Sequence, residues 1–166
     1  MLKKIVLAIM LALPMLAGAQ TIKIGLVDTN TILTSLPDTK TAQDKINALS
    51  KDFQDQDSKF MAALQKKMED FQNLPETTPQ ATKEALAKEI QADQQKILEF
   101  EQNAQSEMQK AQEREMAPVI NKVRDAIQAV GREGNYTVVQ ELGAVLYYGA
   151  PAEDITPAVK AKLGLK

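Results

Sequence analysis

The segment NLPETTP, residues 73–79, divides a long polar, helix-forming part of the sequence into two halves. Its prolines, Pro75 and Pro79, interrupt a helical pattern because proline lacks the N–H that a helix interior uses. Thr78 followed by Pro79 fits the N-cap and first position of a second helix. The segment therefore predicts a tight turn at the tip of a helical hairpin.

Apolar side chains before this turn recur at helical spacing, mostly in steps of three, four or seven. These positions are Ala42, Ile46, Leu49, Phe53, Phe60, Leu64, Met68 and Phe71. Most side chains between them are polar, so the apolar face is a narrow seam like that of a coiled coil. The extra step of four after Phe60 resembles a stutter, at which a supercoil relaxes locally. Such a seam requires a partner helix.

A matching seam follows the turn. Its positions are Leu86, Ile90, Ile97, Phe100, Ala104, Met108 and Ala111. Two seams of equal length around a tight break predict an antiparallel hairpin over residues 39–116. Each arm has about 35 residues, and at ~1.5 Å per residue it reaches about 50 Å, so the hairpin projects as an arm.

The helix is predicted to continue beyond the base of this arm, where its apolar stripe widens. Pro118 removes one helical hydrogen bond and is predicted to bend or restart the helix as the joint between arm and body. Gly131 and Gly134 are predicted to end the helix. The body is therefore discontinuous, comprising residues 20–38 and 117–166.

Three strands are predicted in this body. TIKIGLVD, residues 21–28, has apolar side chains at period two, and NYTVVQEL and AVLYYG, residues 135–142 and 144–149, flank Gly143. A terminal helix is predicted to be capped by Thr156. The fold class is α+β, mostly α. The side chains expected to pack this oligomerisation body are Ile22, Ile24, Leu26, Val27, Val123, Ile127, Val138, Val139, Leu146 and Tyr147.

Oligomerisation is expected because the body is small and the chain has no cysteine to form disulfides. Tyr147 and Tyr148 are neighbours on a predicted strand and would face opposite sides. One of them would pack inward and the other could meet a neighbouring subunit, and the pattern does not decide between them.

The first 19 residues read as a cleavable signal peptide. Lys3 and Lys4 precede an apolar run over residues 5–16 and an Ala-Gly-Ala end. A membrane anchor is the alternative, but the run is shorter than the roughly 20 residues of a spanning helix. The predicted location is therefore the periplasm.

Enzyme chemistry is disfavoured. The chain has no histidine, which removes the most common general base and zinc ligand. Asp28 ends the first strand, where an acid is either catalytic or starts a helix, and the absence of partner groups favours the helix cap. We expect no catalytic residue, cofactor or metal. The net charge of −2 gives no indication of nucleic-acid binding.

Taken in order, KIGLVDTNTIL (residues 23–33), PVINKVRDAIQAVGREGNYTVV (118–139) and the final DIT helix resemble the Skp/OmpH family of periplasmic chaperones. The resemblance implies a jellyfish-like homotrimer, in which three hairpin arms surround a cavity. It implies a holdase that binds unfolded outer-membrane proteins there and prevents their aggregation without ATP. A structural coiled-coil adaptor of the cell envelope is the alternative.

Client-binding residues are expected along the arm, although the same side chains also suit the seam. The candidates are Phe53, Phe60, Met61, Leu64, Met68, Phe71, Phe100 and Met108. Well-known members of the family are basic, whereas this chain is acidic, so lipopolysaccharide binding is not carried over and charge does not support membrane contact. Electrostatic capture of clients would need a local patch such as Lys66 and Lys67.

Overall fold

The computed structural model describes residues 22–165, so the expected signal peptide lies outside the described residues. The elements in chain order are β1 (Ile24–Val27), α1 (Thr29–Ser35), α2 (Pro37–Gln72), α3 (Gln80–Glu133), β2 (Val138–Glu141), β3 (Ala152–Asp154) and α4 (Thr156–Lys162). Two long helices and a small three-stranded sheet confirm the predicted α+β, mostly α, class.

Helices α2 and α3 form the hairpin, and residues 73–79 turn the chain between them. Ion pairs show that the helices run in opposite directions, because Lys45 meets Glu115 whereas Lys67 meets Asp93. The predicted Thr78 cap is wrong. Pro79 occupies the N-cap position of α3 with an extended backbone, and no side chain bonds the first turn.

Helix α3 runs without interruption through Pro118, so the predicted restart of the helix is wrong. Proline removes only its own N–H bond, and the next turns are anchored because Val119 and Val123 are buried against the body. Gly131 likewise lies within the helix. The helix ends where predicted at Gly134, whose N–H donates to the Val130 carbonyl at 2.9 Å.

The sheet has the order β2-β1-β3, and both neighbours run parallel to β1. Parallel strands need a long crossover, which the whole hairpin supplies between β1 and β2. Helices α1, α3 and α4 cover the sheet around one apolar core. The core at the root of the arm comprises Val27, Ile32, Leu36, Ala42, Val119, Val123, Ala126, Val130, Ile155 and Val159.

The third strand is not where the sequence predicted it. AVLYYG, residues 144–149, contains no strand, and a 3-10 turn at Leu142–Ala144 precedes it. The strand is Ala152–Asp154, which pairs with Ile24–Leu26 through the backbone. An edge strand with exposed Glu153 and Asp154 needs no apolar alternation, so the pattern did not reveal it.

Candidate functional site

The carboxyl edge of a parallel sheet is the usual place for a ligand site in α/β proteins. Here three acids stand at that edge, one after or at the end of each strand: Asp28, Glu141 and Asp154. Each carboxylate accepts a hydrogen bond from the backbone N–H of a nearby residue. The donors are Thr31 at 2.8 Å, Thr29 at 3.1 Å and Thr156 at 2.8 Å, respectively. These acids therefore fasten the starts of α1 and α4.

Asp28 is the N-cap of α1, as predicted. The Thr31 hydroxyl also donates to its carboxylate at 2.5 Å, and this bond, followed by the one from the Thr31 N–H, lowers the pKa of Asp28 below its ordinary 3.8. The predicted Thr156 cap is wrong. Its hydroxyl instead accepts from the N–H of Asp28 at 2.9 Å, which ties β1 to α4.

Neither a metal centre nor a membrane span is found in the described part of the chain. Residues 22–165 contain no cluster of three or more His, Cys, Asp or Glu side chains that could hold a metal ion. The helices of the same range include none with the length and hydropathy needed to cross a bilayer.

The tip half of the arm exposes large apolar side chains. Phe60 is 45% exposed, Met61 51%, Met68 39% and Leu98 52%. A solvent-exposed concentration of apolar side chains in one region of a protein is typical of an interaction surface. Leu98 was missed because it lies beside the seam position Ile97. The signal that could have found it is an apolar residue outside the repeat, which is also how Met61 was identified.

Aromatic rings join the two helices at the level of Phe60. Phe100 packs edge-to-face against Phe53 and Phe60, with ring centroids 6.0 and 5.1 Å apart. A groove of about 350 Å³ opens beside two of these rings. It is lined by Phe60, Ala63, Asp93, Lys96, Ile97 and Phe100.

The predicted client-binding residues divide by exposure. Three are exposed, namely Phe60, Met61 and Met68, and Leu64 is buried between the helices. The remaining four are half-buried: Phe53, Phe71, Phe100 and Met108. The structure thus gives them different surroundings, and their role in client binding stays a prediction.

Lys67 does not form the free basic patch considered from the sequence. Its ammonium pairs with Asp93 and, at 3.4 Å, with Glu89 on the opposite helix. The bond to Asp93 raises the pKa of Lys67 and lowers that of Asp93, so both groups stay charged at neutral pH. The lysine therefore holds the arm together near its tip, and only Lys66 of that pair remains exposed.

The predicted body residues also separate into two groups. Leu26, Val27 and Val123 are buried, while Ile127 and Val139 pack on the core and Ile24 is half-buried. The second group is exposed in the single chain: Ile22 at 58%, Val138 at 39%, Leu146 at 106% and Tyr147 at 86%. Tyr148 is 43% exposed, so neither tyrosine packs inward as the strand assignment had implied.

Known proteins resemble this chain in sequence and in fold. The chain is 26% identical over 149 residues to the chaperone protein Skp of Yersinia enterocolitica, with 90% of each chain covered. A crystal structure described as an OmpH-like outer membrane chaperone of Caulobacter crescentus CB15 has the same fold. Its TM-score is 0.74 at 19% identity, over 86% of this chain and 83% of that one.

The sequence model of the OmpH-like outer membrane protein family matches residues 23–163, nearly the whole described chain. This match confirms the resemblance that the strand, helix and DIT segments indicated. The chain therefore belongs to the OmpH-like family.

Proposed function

We propose that this protein is a periplasmic holdase chaperone, which binds unfolded outer-membrane proteins between helical arms and prevents their aggregation without ATP. The observation that carries the proposal is the set of exposed apolar side chains in the tip half of the arm, namely Phe60, Met61, Met68 and Leu98. The chaperone names of its relatives from Yersinia and Caulobacter support the same reading.

Many weak contacts suit this role better than one fixed pocket. Methionine side chains are flexible and polarisable, so Met61 and Met68 can adapt to different client segments. The groove beside Phe60 is open to solvent and has room for single side chains of an extended client segment. Clients would be held apart from one another rather than folded.

The proposed assembly is a homotrimer built on the body. Leu146 and Tyr147 are almost fully exposed in the single chain, and such apolar side chains are expected to be covered by a neighbouring subunit. Size-exclusion chromatography with light scattering should give three chains per particle. Replacing both residues with serine should shift the particle toward monomer. A wild-type protein that is monomeric at micromolar concentration would contradict the proposed trimer with its central cavity.

Aggregation of a client provides the direct test of the holdase. An outer-membrane β-barrel unfolded in urea is diluted into buffer, and light scattering is followed with and without the protein. A modest excess of trimer should suppress the scattering without ATP. Unchanged scattering would reject the proposal.

The exposed arm surface is tested by polar substitution. Met61→Gln together with Leu98→Gln should reduce suppression several-fold and leave the circular dichroism and melting temperature nearly unchanged, because both side chains are half exposed to solvent. The matched control is Ala48→Gln with Ala81→Gln, at exposed positions of the same two helices. Equal loss in the control pair would mean that the apolar surface is not what clients bind.

Crosslinking in cells distinguishes the chaperone from the alternative of a structural envelope adaptor. A chaperone should crosslink through the arm to many barrel proteins in small amounts. A single stoichiometric partner would favour the adaptor instead.

A further inference from the structure

The two helices of the arm are fastened to each other at its ends. Near the body, Lys122 pairs with Asp38 at 2.6 Å and Lys45 pairs with Glu115 at 3.0 Å. Near the tip, Lys67 pairs with acids of α3. Within residues 22–165, no other ion pair or side-chain hydrogen bond joins α2 to α3. From Lys45 to Lys67, about 30 Å of helix, only apolar packing holds the helices together.

Apolar burial along this stretch is uneven. Ile46 and Ala111 are buried on the body side, and Leu64 and Ile97 on the tip side, at 9% exposure or less. Between these pairs lie the aromatic rings of Phe53, Phe60 and Phe100, which are half-buried or exposed. The seam is therefore closed to solvent at two levels and partly open to solvent between them, where contacts between aromatic rings join the helices.

An acid, Asp57, occupies the seam within this partly solvent-exposed stretch. Asp57 lies four residues after Phe53 and three before Phe60, so it shares their face of α2. Phe100 contacts both of those rings and therefore spans the turn that carries Asp57. The Oδ1 atom of Asp57 is inaccessible to solvent and has no hydrogen-bond donor in the described chain.

A carboxylate oxygen without a donor destabilises the packed state because it has lost water and gained no partner. Parting of the helices at this level would return that oxygen to water. The same movement would uncover the three phenylalanine rings, and the fastened ends would keep the hairpin intact.

We propose that Asp57 is a built-in weak point of the arm, at which the helices part and present Phe53, Phe60 and Phe100 to the apolar segments of an unfolded client. This inference rests on the proposed holdase function and names the residues that the client meets. It also explains why an acid stands where an apolar side chain would complete the seam. Clients bind the parted state, so their apparent affinity depends on its population.

The test replaces Asp57 with leucine, which completes the seam. The variant Asp57→Leu should raise the melting temperature and slow hydrogen exchange of the amides around residues 53–60 and 97–104. It should weaken suppression of client aggregation by about tenfold, because the parted state becomes rarer. Asp57→Asn, which keeps a polar group in the seam, should fall between the wild type and leucine.

The matched control is Asp55→Leu. Asp55 is 58% exposed at the side chain and lies on the solvent face, and its ion-pair partner among residues 22–165 is Lys51 of its own helix. It undergoes the same change of charge and hydropathy without entering the seam. This variant should leave hydrogen exchange of the amides around residues 53–60 and 97–104 unchanged.

The outcomes separate the inference from the function on which it rests. A wild-type protein that does not suppress aggregation rejects the holdase itself. If the wild type suppresses aggregation and the Asp57→Leu variant equals it in both suppression and hydrogen exchange, the holdase proposal stands. Only the proposal that Asp57 is a weak point of the arm is then rejected. A lower melting temperature in Asp57→Leu would also reject it, because Asp57 would then have a stabilising partner in the assembled protein.

Discussion

The body and the arm are built from the same kinds of apolar residues but bury them to different depths. In the body, Ile32 and Val159 are fully buried, because the sheet and three helices enclose them. In the arm, the best-buried large side chains, Ile46, Ile97 and Leu64, retain 7–9% exposure, since only two helices meet there.

This difference assigns separate tasks to the two regions. In a core that is enclosed on all sides, a truncated side chain leaves a cavity that its neighbours cannot fill, and this lowers stability. In a two-helix seam, the helices can move together or apart to accommodate the change. The body therefore carries most of the stability. The arm retains exposed apolar surface, which the proposed client binding would use.

The largest expected effect comes from Ile32→Ala in the body. Ile32 is fully buried in the core, and removing a buried isoleucine side chain to alanine costs about 2–5 kcal/mol. The free energy of unfolding, measured by urea denaturation followed by circular dichroism, should fall by that amount. Assembly should weaken with it because the core supports the sheet.

Leu64→Ala is the comparison in the arm. It removes a side chain of similar size, but the helices can close around the gap, so the cost should be at or below about 2 kcal/mol. An equal or larger loss for Leu64 would contradict the assignment of stability to the body.

Gly25→Ala tests how closely the body is packed. A Cβ at this position of β1 would lie 3.0 Å from Ile155, 3.2 Å from Tyr136 and 3.3 Å from Val139. Forcing these neighbours apart should cost about 1–3 kcal/mol, partly offset by the reduced freedom of the unfolded chain. Thermal unfolding measures the loss.

Gly143→Ala is its control, because a Cβ there meets nothing within 4 Å. The control should melt at or slightly above the wild-type temperature. A destabilised Gly143→Ala together with a neutral Gly25→Ala would mean that packing around β1 is loose.

The arm was predictable from the sequence because its information is local and repetitive. The seven-residue spacing requires only that apolar residues share a helix face, and the prolines of residues 73–79 mark the turn without reference to the rest of the chain. The weak point escaped prediction. Asp57 was not identified from the sequence, because only the packed helices show that its Oδ1 atom is enclosed without a hydrogen-bond donor.

The body was less predictable because its sheet depends on contacts between distant segments. AVLYYG, residues 144–149, has the composition of a strand, but the backbone edge of β1 is occupied by the polar Ala152–Asp154. The parallel arrangement of all three strands was not predicted, because the local sequence pattern of a strand does not indicate the direction of its neighbours. The core positions Leu26, Val27 and Val123 were identified because burial follows apolar periodicity.

The smallest expected effect lies at the junction between the two regions, where Asp28 caps the helix that leads toward the arm. Asp28→Ala removes the acceptor for the Thr31 N–H and should lower the melting temperature by about 2–4 °C at pH 7. Asp28→Asn should lose less, because asparagine also serves as an N-cap.

The pH dependence distinguishes the charge of Asp28 from its shape. Bonds from Thr31 lower the pKa of Asp28 in the folded protein, so its stabilising contribution is present above the unfolded value, near 3.8, and is lost as the pH falls through the folded value. The difference in melting temperature between the wild type and Asp28→Asn should therefore be constant from pH 7 to about pH 5 and shrink below about pH 4. A difference that persisted to pH 3 would mean that the cap depends on hydrogen-bond geometry alone, and that the ionised carboxylate adds nothing at this junction.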